Sequence, residues 1–256
     1  KVYCIQEIET EKLYAAKTSY NVFDFEDEHN DQLLFLYREM KILSGLNYPT
    51  VIRFIGFSPT DFKHSPKFTI ITEYAPNKTL KDIIECESRS ASPPNWDQTR
   101  KLICIYGIAS GMSYLHKNDI IHRDLKTDDI LLDEYLCPKI ADFGLSKQNK
   151  SISKSLRIQS QFGQKGTPLY WAPEIFSGEK CSKATDVYAF SIVVYEIMTC
   201  ETPFQNLNII ALNLKVLNNE RPIIPEFVPA AYRDLIEKCW SQNPEDRPTF
   251  DEIVFD

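Results

Sequence analysis

The order of apolar and polar residues divides this chain of 256 residues into a part that favours strands and a part that favours helices. The pattern predicts two strands within residues 1 to 20 and two more at Val51–Phe57 and Phe68–Tyr74. Between these pairs, an apolar stripe at positions i, i+4 and i+7 predicts one helix over Gln32–Leu46. The first part of the chain is therefore predicted to form a sheet with a single helix.

Helical periodicity dominates the rest of the chain. Helices are predicted at Leu80–Glu85, Trp96–Lys117 and Lys183–Met198. In the helix that begins at Trp96, six apolar residues form a wide face: Leu102, Ile105, Ile108, Ala109, Met112 and Leu115. Gly107 and Gly111, four residues apart on this helix, predict close packing, and His116 is expected at the surface or in a cap.

A hairpin of two short apolar strands, Ile130–Leu132 and Lys139–Ala141, is predicted after the long helix. Because a hairpin brings its outer ends together, Asp124, Asp129 and Asp142 are expected to converge. Crowded carboxylates repel one another unless a cation lies among them. Oxygen ligands without Cys or a second His favour Mg²⁺ over zinc, so this stretch predicts a magnesium site.

Composition narrows the class of protein. The net charge of -7 gives no electrostatic footprint for nucleic acid, so no nucleic-acid partner is predicted. No apolar run approaches about 18 residues, and the longest is interrupted by Glu196, so no membrane segment is predicted. Seven cysteines without a CxxC pattern favour buried free thiols and an intracellular, cytoplasmic location.

Two motifs flank the predicted hairpin. His122-Arg123-Asp124 with Lys126 before it, and Asp142-Phe143-Gly144 after it, resemble the catalytic loop and the metal-binding loop of eukaryotic protein kinases. The segment from Gly166 to Glu174 resembles the substrate loop of serine/threonine kinases. The C-terminal residues Cys239-Trp240, Pro244 and Arg247-Pro248 resemble the tyrosine-kinase-like group, whose members mostly phosphorylate Ser and Thr.

The resemblance implies an α+β, bilobal fold. A small lobe of residues 1–72, mainly sheet with one helix, would be joined by a hinge at 73–79 to a larger helical lobe of residues 80–256. A glycine-rich phosphate-covering loop should precede Val2, but the first glycine is Gly45. We therefore expect a single kinase domain that begins just after this loop, cut from a longer protein.

The resemblance also implies an ATP site. Lys17 would grip the α- and β-phosphates, and Glu39 would hold it through an ion pair. Thr72 would be the gatekeeper, Leu131 the floor beneath the purine, and the remaining contacts would surround the adenine. The expected nucleotide-binding residues are Val2, Ala15, Lys17, Thr72, Glu73, Ala75 and Leu131.

For the transfer of the ATP γ-phosphate to a Ser or Thr hydroxyl of a protein, the resemblance assigns each residue a task. Asp124 would orient the hydroxyl and accept its proton, and Lys126 would stabilise the transferring phosphoryl group. Asp142 would hold Mg²⁺, and Thr167 would hydrogen-bond near Asp124. The structural residues would be His122 and Phe143 in the core, Asp186 beneath the catalytic loop, and Glu174 paired with Arg247.

Asp129 departs from the family pattern, which has Asn at this position. Asn offers a neutral oxygen to a second Mg²⁺ and also donates hydrogen bonds, whereas Asp supplies a charged oxygen and no donor. The extra charge could bind metal more tightly, or could raise the pKa of Asp124 or Asp142 by repulsion. Either effect would slow turnover. The alternative function is a pseudokinase that serves as a nucleotide-binding or scaffolding module.

The segment from Asp142 to Glu174 resembles an activation segment. Its serines lie among basic residues, and Arg123 would receive a phosphate attached to one of them. The alternative is a flexible polar loop without a regulatory role. The candidate phosphorylation sites are Ser151, Ser153, Ser155 and Ser160.

Overall fold

A four-stranded antiparallel sheet forms the N-terminal part of the computed structural model, which describes residues 1–19, 31–148 and 166–255. The strand order is β1-β2-β4-β3. The strands are β1 Val2–Gln6, β2 Leu13–Thr18, β3 Phe54–Ser58 and β4 Thr69–Glu73. All four predicted strands are thus present, with β3 beginning three residues later than expected.

One helix, α1 (Asp31–Leu43), packs on this sheet. Its Leu36 joins Phe68 and Ile70 in a small apolar core, against which Met40 and Phe54 also pack. Because Ile70 lies opposite Lys17 in the ladder between β4 and β2, the face that carries Lys17 is also the face toward α1. The apolar residues of α1 therefore hold this helix against the face of the sheet that carries Lys17.

The remainder of the described chain is mainly helical and contains the large core. Its helices are α2 Leu80–Ser88, α3 Gln98–Lys117, α4 Pro173–Phe176, α5 Lys183–Thr199, α6 Ile209–Leu217, α7 Ala230–Cys239 and α8 Phe250–Phe255. From Thr185 to Thr199, α5 is buried on every side. The predicted α+β architecture, a small sheet-rich part followed by a larger helical part, is confirmed.

Two short ladders lie between α3 and α4. The hairpin strands are β6 (Ile130–Leu132) and β7 (Pro138–Ile140), the second one residue earlier than predicted. The other ladder pairs β5 (Ile120–Ile121) with β8 (Lys147–Gln148). The two ladders together fix the ends of the segments 122–129 and 141–146, which lie between their strands.

The glycines of α3 allow close packing against the hairpin, as the sequence predicts. A Cβ on Gly111 would lie 2.7 Å from Cδ1 of Ile140 and 2.6 Å from Oγ1 of Thr50. A Cβ on Gly107 would lie 2.7 Å from Cγ of Pro138. Such distances are too short for carbon atoms in contact, so any side chain here would push β7 away from α3.

Other residues of α3 depart from the prediction. Leu102 is half exposed, whereas Lys101 beside it is only 3% exposed. The Lys101 ammonium lies 2.7 Å from a carboxylate oxygen of Glu87, so a buried ion pair replaces the expected apolar contact. The expectation for His116 is also wrong, because this residue is buried and its Nε2 lies 2.9 Å from Oδ2 of Asp186.

The segment between β4 and α2 is fastened to the hairpin. The Asn77 backbone N–H donates to the carbonyl of Leu132 at 3.1 Å, and the Leu132 N–H donates to the carbonyl of Lys78 at 3.0 Å. The boundaries of the lobes at residues 72 and 79 stay a prediction. In the described ranges, no helix is both long and apolar enough to cross a membrane.

Candidate active site

Lys17, Glu39 and Asp142 come together from three separate elements. Nζ of Lys17 on β2 lies 2.8 Å from Oε2 of Glu39 on α1 and 3.0 Å from Oδ1 of Asp142. The Glu39 side chain is buried, whereas half of the Asp142 carboxyl group is exposed. The structure thus contains the ion pair that the resemblance implies, and adds Asp142 to it.

Burial and charge oppose each other in this triad. Burial acts to lower the pKa of Lys17, but the two carboxylates outweigh it and raise that pKa. Burial acts to raise the pKa of Asp142, but the Lys17 ammonium and a hydrogen bond from it lower that pKa overall. Burial raises the pKa of Glu39, and Lys17 counteracts this rise. Lys17 and Asp142 are therefore charged at neutral pH.

Asp124 is held by two donors. Its Oδ2 accepts a hydrogen bond from Nζ of Lys126 at 2.7 Å, and its Oδ1 accepts one from the backbone N–H of Thr167 at 2.9 Å. Lys126 also donates to Oγ1 of Thr167 at 3.2 Å. Gly166 permits this approach, since it has a φ of +128° and a Cβ there would lie 3.2 Å from Oδ1 of Asp124.

Asp129 lies at the start of the hairpin and is buried. Its Oδ2 is 3.4 Å from Nζ of Lys126, which is an ion-pair distance, but this oxygen has no hydrogen-bond partner. Burial raises the pKa of Asp129 to about 8, with Asp142 and Asp124 adding to the rise and Lys126 opposing it. The expectation that repulsion raises the pKa of Asp142 is wrong, because its pKa is lowered and the rise falls on Asp129 itself.

The three carboxyl groups of the predicted magnesium site lie beside lysine ammonium groups, whereas we expected a metal ion to balance their charge. Asp124 and Asp142 are near enough to Asp129 for their charges to raise its pKa, but no group of three His, Cys, Asp or Glu residues in the described part of the chain is arranged to hold a metal ion. Lys126 and Lys17 supply positive charge to the site instead.

A site with fewer protein ligands does fit Mg²⁺. Protein-bound Mg²⁺ usually takes one or two carboxylates and completes its shell with water and substrate phosphates. The exposed carboxyl group of Asp142 and the unpartnered Oδ2 of Asp129 offer such oxygens. These two residues fit a metal that arrives with a nucleotide.

Asp186, at the start of α5, supports the catalytic loop from below. Its carboxylate accepts hydrogen bonds from the backbone N–H of His122 at 2.8 Å and of Arg123 at 2.9 Å, and it also contacts His116. Arg123 has a φ of +73°, a conformation that costs free energy in a residue with a Cβ. The His122 ring is buried 5.3 Å from the ring of Phe143, which is also buried.

Glu196 is a buried acid that the sequence analysis noticed only as an interruption of an apolar run. The hydroxyl of Tyr170 donates to its Oε2 at 2.7 Å, and the hydroxyl of Thr127 donates to the same oxygen at 3.2 Å. Burial raises the pKa of Glu196 to about 7. The side chain thus joins α5 to the substrate loop, through Tyr170, and to the catalytic loop, through Thr127.

A second buried ion pair anchors the end of the substrate loop. The two guanidinium nitrogens of Arg247 donate to the two carboxylate oxygens of Glu174 at 2.8 and 2.9 Å. The guanidinium also lies over the ring of Tyr188, 5.2 Å from its centroid. This bidentate geometry is the one that the resemblance implies.

The expected adenine contacts lie around the sheet and the hairpin. Ala15 lies opposite Thr72 in the ladder between β2 and β4. Leu131 forms an isolated antiparallel β-bridge with Thr79. Val2 on β1 lies opposite Lys17 and is largely exposed. The Thr72 hydroxyl donates to the carbonyl of the next residue, Glu73. Their roles, with that of Ala75, stay predictions.

The candidate phosphorylation sites Ser151, Ser153, Ser155 and Ser160 lie outside the described residues. The expected phosphate-binding residue Arg123 is exposed and close to Arg38 on α1. Burial, followed by the charge of Arg123, lowers the pKa of Arg38. Lys147 lies nearby, opposite Ile121 in the ladder between β5 and β8. Arg123 and Arg38 are therefore close enough for their charges to interact.

Comparison with known proteins gives consistent results. A family model described as protein tyrosine and serine/threonine kinase matches residues 12–256. Probable serine/threonine-protein kinase drkC of Dictyostelium discoideum is 36% identical over 89% of this chain and 29% of its own length. Serine/threonine-protein kinase CTR1 of Arabidopsis thaliana is 31% identical over 90% of this chain and 27% of its own length.

Longer relatives occur as well. A putative serine/threonine-protein kinase/receptor of Acanthamoeba polyphaga mimivirus is 34% identical over 87% of this chain, which spans 12% of that protein. The chain therefore spans less than a third of each of these three relatives.

Proposed function

Since this chain belongs to the protein tyrosine and serine/threonine kinase family, we propose that it transfers the γ-phosphate of ATP to Ser or Thr hydroxyls of protein substrates. The observation that carries the proposal is the contact of Lys126 with both Asp124 and Thr167. This arrangement places a cation, a carboxylate and the substrate loop within one small volume. An acceptor hydroxyl beside the loop would meet all three groups.

The proposed roles follow from the charges. Phosphoryl transfer requires an acceptor held in line, a group that takes its proton, and cations that neutralise the phosphates. Asp124 is oriented by two donors and takes the proton from the hydroxyl. Lys126 lies within reach of the transferring group, and Lys17 is held by Glu39 in position for the other phosphates.

Magnesium supplies charge neutralisation at the β- and γ-phosphates when it is bound. The residues that would hold it are Asp142 and Asp129. Asp142 already turns one oxygen toward Lys17 and leaves about half of its side chain exposed. The ATP and Mg²⁺ requirement of this chain is therefore part of the proposal.

A pseudokinase is the second candidate, and Asp129 is the observation that favours it. A buried carboxylate with an unpartnered oxygen stands where the family pattern has an amide. This exchange removes two N–H donors from the catalytic loop. It adds a negative charge beside Asp124 and Asp142 only as the pH approaches the raised pKa of Asp129, about 8. We favour the enzyme because Lys17, Glu39, Asp124 and Lys126 retain their mutual contacts.

Regulation by phosphorylation is a further part of the proposal. Arg123 is exposed at the start of the catalytic loop, and its charge acts on Arg38 of α1. A phosphate in this region would meet cationic side chains that can bind it. The serines at 151, 153, 155 and 160 are its candidate sources.

The test is a phosphotransfer assay with γ-labelled Mg-ATP and a generic Ser/Thr protein substrate. We expect the unaltered protein to incorporate label and Asp124→Asn to reduce the rate by about 10²-fold or more, the usual contribution of a general base. Asp128→Asn is the matched control, because Asp128 is an exposed neighbour that pairs with Lys81. Equal rates for the protein and for Asp124→Asn would refute the catalytic assignment.

A further inference from the structure

Two free thiols lie between α3 and the connection of the hairpin, away from the candidate active site. Cys104 on α3 is fully buried, and Cys137 in the connection is half exposed. The two groups are close enough for the charge of one to affect the titration of the other. A pair of neighbouring thiols can undergo chemistry that a single thiol cannot.

The neighbours of Cys104 on α3 show that it faces the connection. Positions 100, 104 and 107 are spaced i, i+4 and i+7 and so share one helix face. At one end of this face, Nη1 of Arg100 lies 4.0 Å from Sγ of Cys137. At the other end, Gly107 packs against Pro138, the next residue in the chain. Cys104 lies between these two contacts.

The two thiols differ in their exposure to solvent. Burial raises the pKa of Cys104, which makes it a poor nucleophile toward reagents in solution. Cys137 is partly exposed, and Nη1 of Arg100 lies 4.0 Å from its sulfur. One member of the pair is thus suited to react first with a dissolved oxidant, and the other to react within the protein.

We propose that Cys137 and Cys104 form a peroxide-sensitive pair, in which Cys137 is oxidised first and Cys104 then closes a disulfide. This site is separate from the phosphotransfer residues, and the proposal does not depend on kinase activity. The oxidant is a hydroperoxide such as hydrogen peroxide.

Two steps account for all atoms and electrons. The Cys137 thiolate attacks one peroxide oxygen, so that an S–O bond forms, the O–O bond breaks, and the leaving hydroxide takes up a proton to give water. The sulfur of Cys104 then attacks Sγ of Cys137. An S–S bond forms, the S–O bond breaks, and a second water leaves with the Cys104 proton. Two thiols are oxidised and one peroxide is reduced.

A cross-link here would join α3 to the hairpin that carries Asp129 and Asp142 at its ends. The connection begins at Asp133, whose side chain accepts hydrogen bonds from the backbone N–H groups of Tyr135 and Cys137. The backbone of Cys137 is therefore fixed by a hydrogen bond to Asp133, while its side chain contacts Arg100.

The experiment is peroxide titration of the purified, fully reduced protein, followed by alkylation, digestion and mass spectrometry. We expect a peptide pair that joins Cys104 to Cys137, lighter by two hydrogen atoms than its reduced components and separated again by dithiothreitol. In Cys104→Ser, Cys137 should stop at a sulfenic acid that dimedone traps. In Cys137→Ser, Cys104 should stay reduced.

Arg100→Gln tests the role of the guanidinium, and the half-exposed Cys86 of the same protein is the internal control. We expect Cys137 to react at least about threefold faster than Cys86, and Arg100→Gln to remove that advantage. The unaltered protein decides the proposal even if a variant fails to fold. Oxidation of Cys137 to sulfinic acid with Cys104 still reduced, or equal rates at Cys137 and Cys86, would overturn it.

Discussion

Oδ2 of Asp129 lies 3.4 Å from Nζ of Lys126, buried and without a hydrogen-bond partner. The same ammonium is 2.7 Å from Asp124. Lys126 therefore interacts with two carboxyl groups, those of Asp124, the proposed proton acceptor, and Asp129, a proposed magnesium ligand. The residue at position 129 decides how much of the Lys126 charge is left for the phosphoryl group.

The first prediction is that Asp129→Asn raises the rate of phosphotransfer. Above its pKa of about 8, Asp129 carries a charge that competes for Lys126 and raises the energy of the neighbouring carboxylates. The amide removes this charge, so the effect is expected at pH values above that pKa. We expect an increase of about tenfold, equivalent to about 1.4 kcal/mol in the activation free energy. The measurement is kcat with saturating Mg-ATP.

Asp128→Asn is the control for this prediction, since it makes the same chemical change one residue away, at an exposed side chain. Its kcat should stay close to that of the unaltered protein. An unchanged or lower rate in Asp129→Asn would mean that the carboxylate is adapted to its task in this chain.

The second prediction concerns the substrate loop. Thr167→Val removes the hydroxyl that accepts a hydrogen bond from Lys126 at 3.2 Å, whereas Thr167→Ser keeps it. We expect Val to lower kcat/KM by about tenfold, as for the loss of one hydrogen bond to a charged group. Ser should restore most of the activity. Equal losses in both variants would show that the methyl group, and not the hydroxyl, matters.

The third prediction is that breaking the buried ion pair of Glu174 and Arg247 lowers the free energy of unfolding. Arg247→Ala leaves a buried carboxylate without its partner, which costs roughly 3 to 5 kcal/mol. Chemical denaturation measures the change in the free energy of unfolding. Arg89→Ala is the control, because Arg89 is exposed and its pair with Glu85 is 3.5 Å long. A loss no larger than that of Arg89→Ala would contradict the assignment.

The fourth prediction is a pH dependence that originates at Glu196. Burial raises the pKa of Glu196 from 4.5 to about 7 in the folded state. Between these values the folded state holds a proton that the unfolded state has released, so stability falls as pH rises through this window. At about 1.4 kcal/mol per pKa unit, the loss approaches about 3 kcal/mol.

Glu196→Gln isolates this effect, since Gln does not titrate and every other group contributes equally to both proteins. The free energy of unfolding of the unaltered protein, minus that of Glu196→Gln, should decrease from pH 4.5 to pH 7. The exposed residue Glu179 supplies the control, Glu179→Gln, for which the difference should stay flat. A flat difference for Glu196→Gln as well would contradict the raised pKa.

Local patterns in the sequence predicted the four strands of the sheet, the hairpin and the helices α1, α2, α3 and α5, but not α4, α6, α7 and α8. The two motifs around the hairpin predicted the kinase family, and the comparisons confirm the tyrosine-kinase-like, serine/threonine resemblance. Helix positions followed from apolar periodicity because burial of one face is the main determinant of where a helix packs. The packing role of Gly107 and Gly111 followed from their spacing alone.

Polar residues in the interior were harder to predict, because their partners are distant in sequence. His116 and Lys101 contact Asp186 and Glu87, and neither partner is recognisable from local periodicity. The same reason explains why a raised pKa was considered for Asp124 or Asp142 and occurs at Asp129. Lys17, more than a hundred residues away, compensates Asp142, whereas Asp129 is buried.

The account depends most on whether this chain transfers phosphate to aliphatic hydroxyls. The most direct measurement is phosphoamino acid analysis of a mixed protein substrate after incubation with the purified protein and γ-labelled Mg-ATP. We predict label in phosphoserine and phosphothreonine, and its loss in Asp124→Asn. Tight binding of Mg-ATP with no label in any residue would contradict the proposed transfer and favour the pseudokinase.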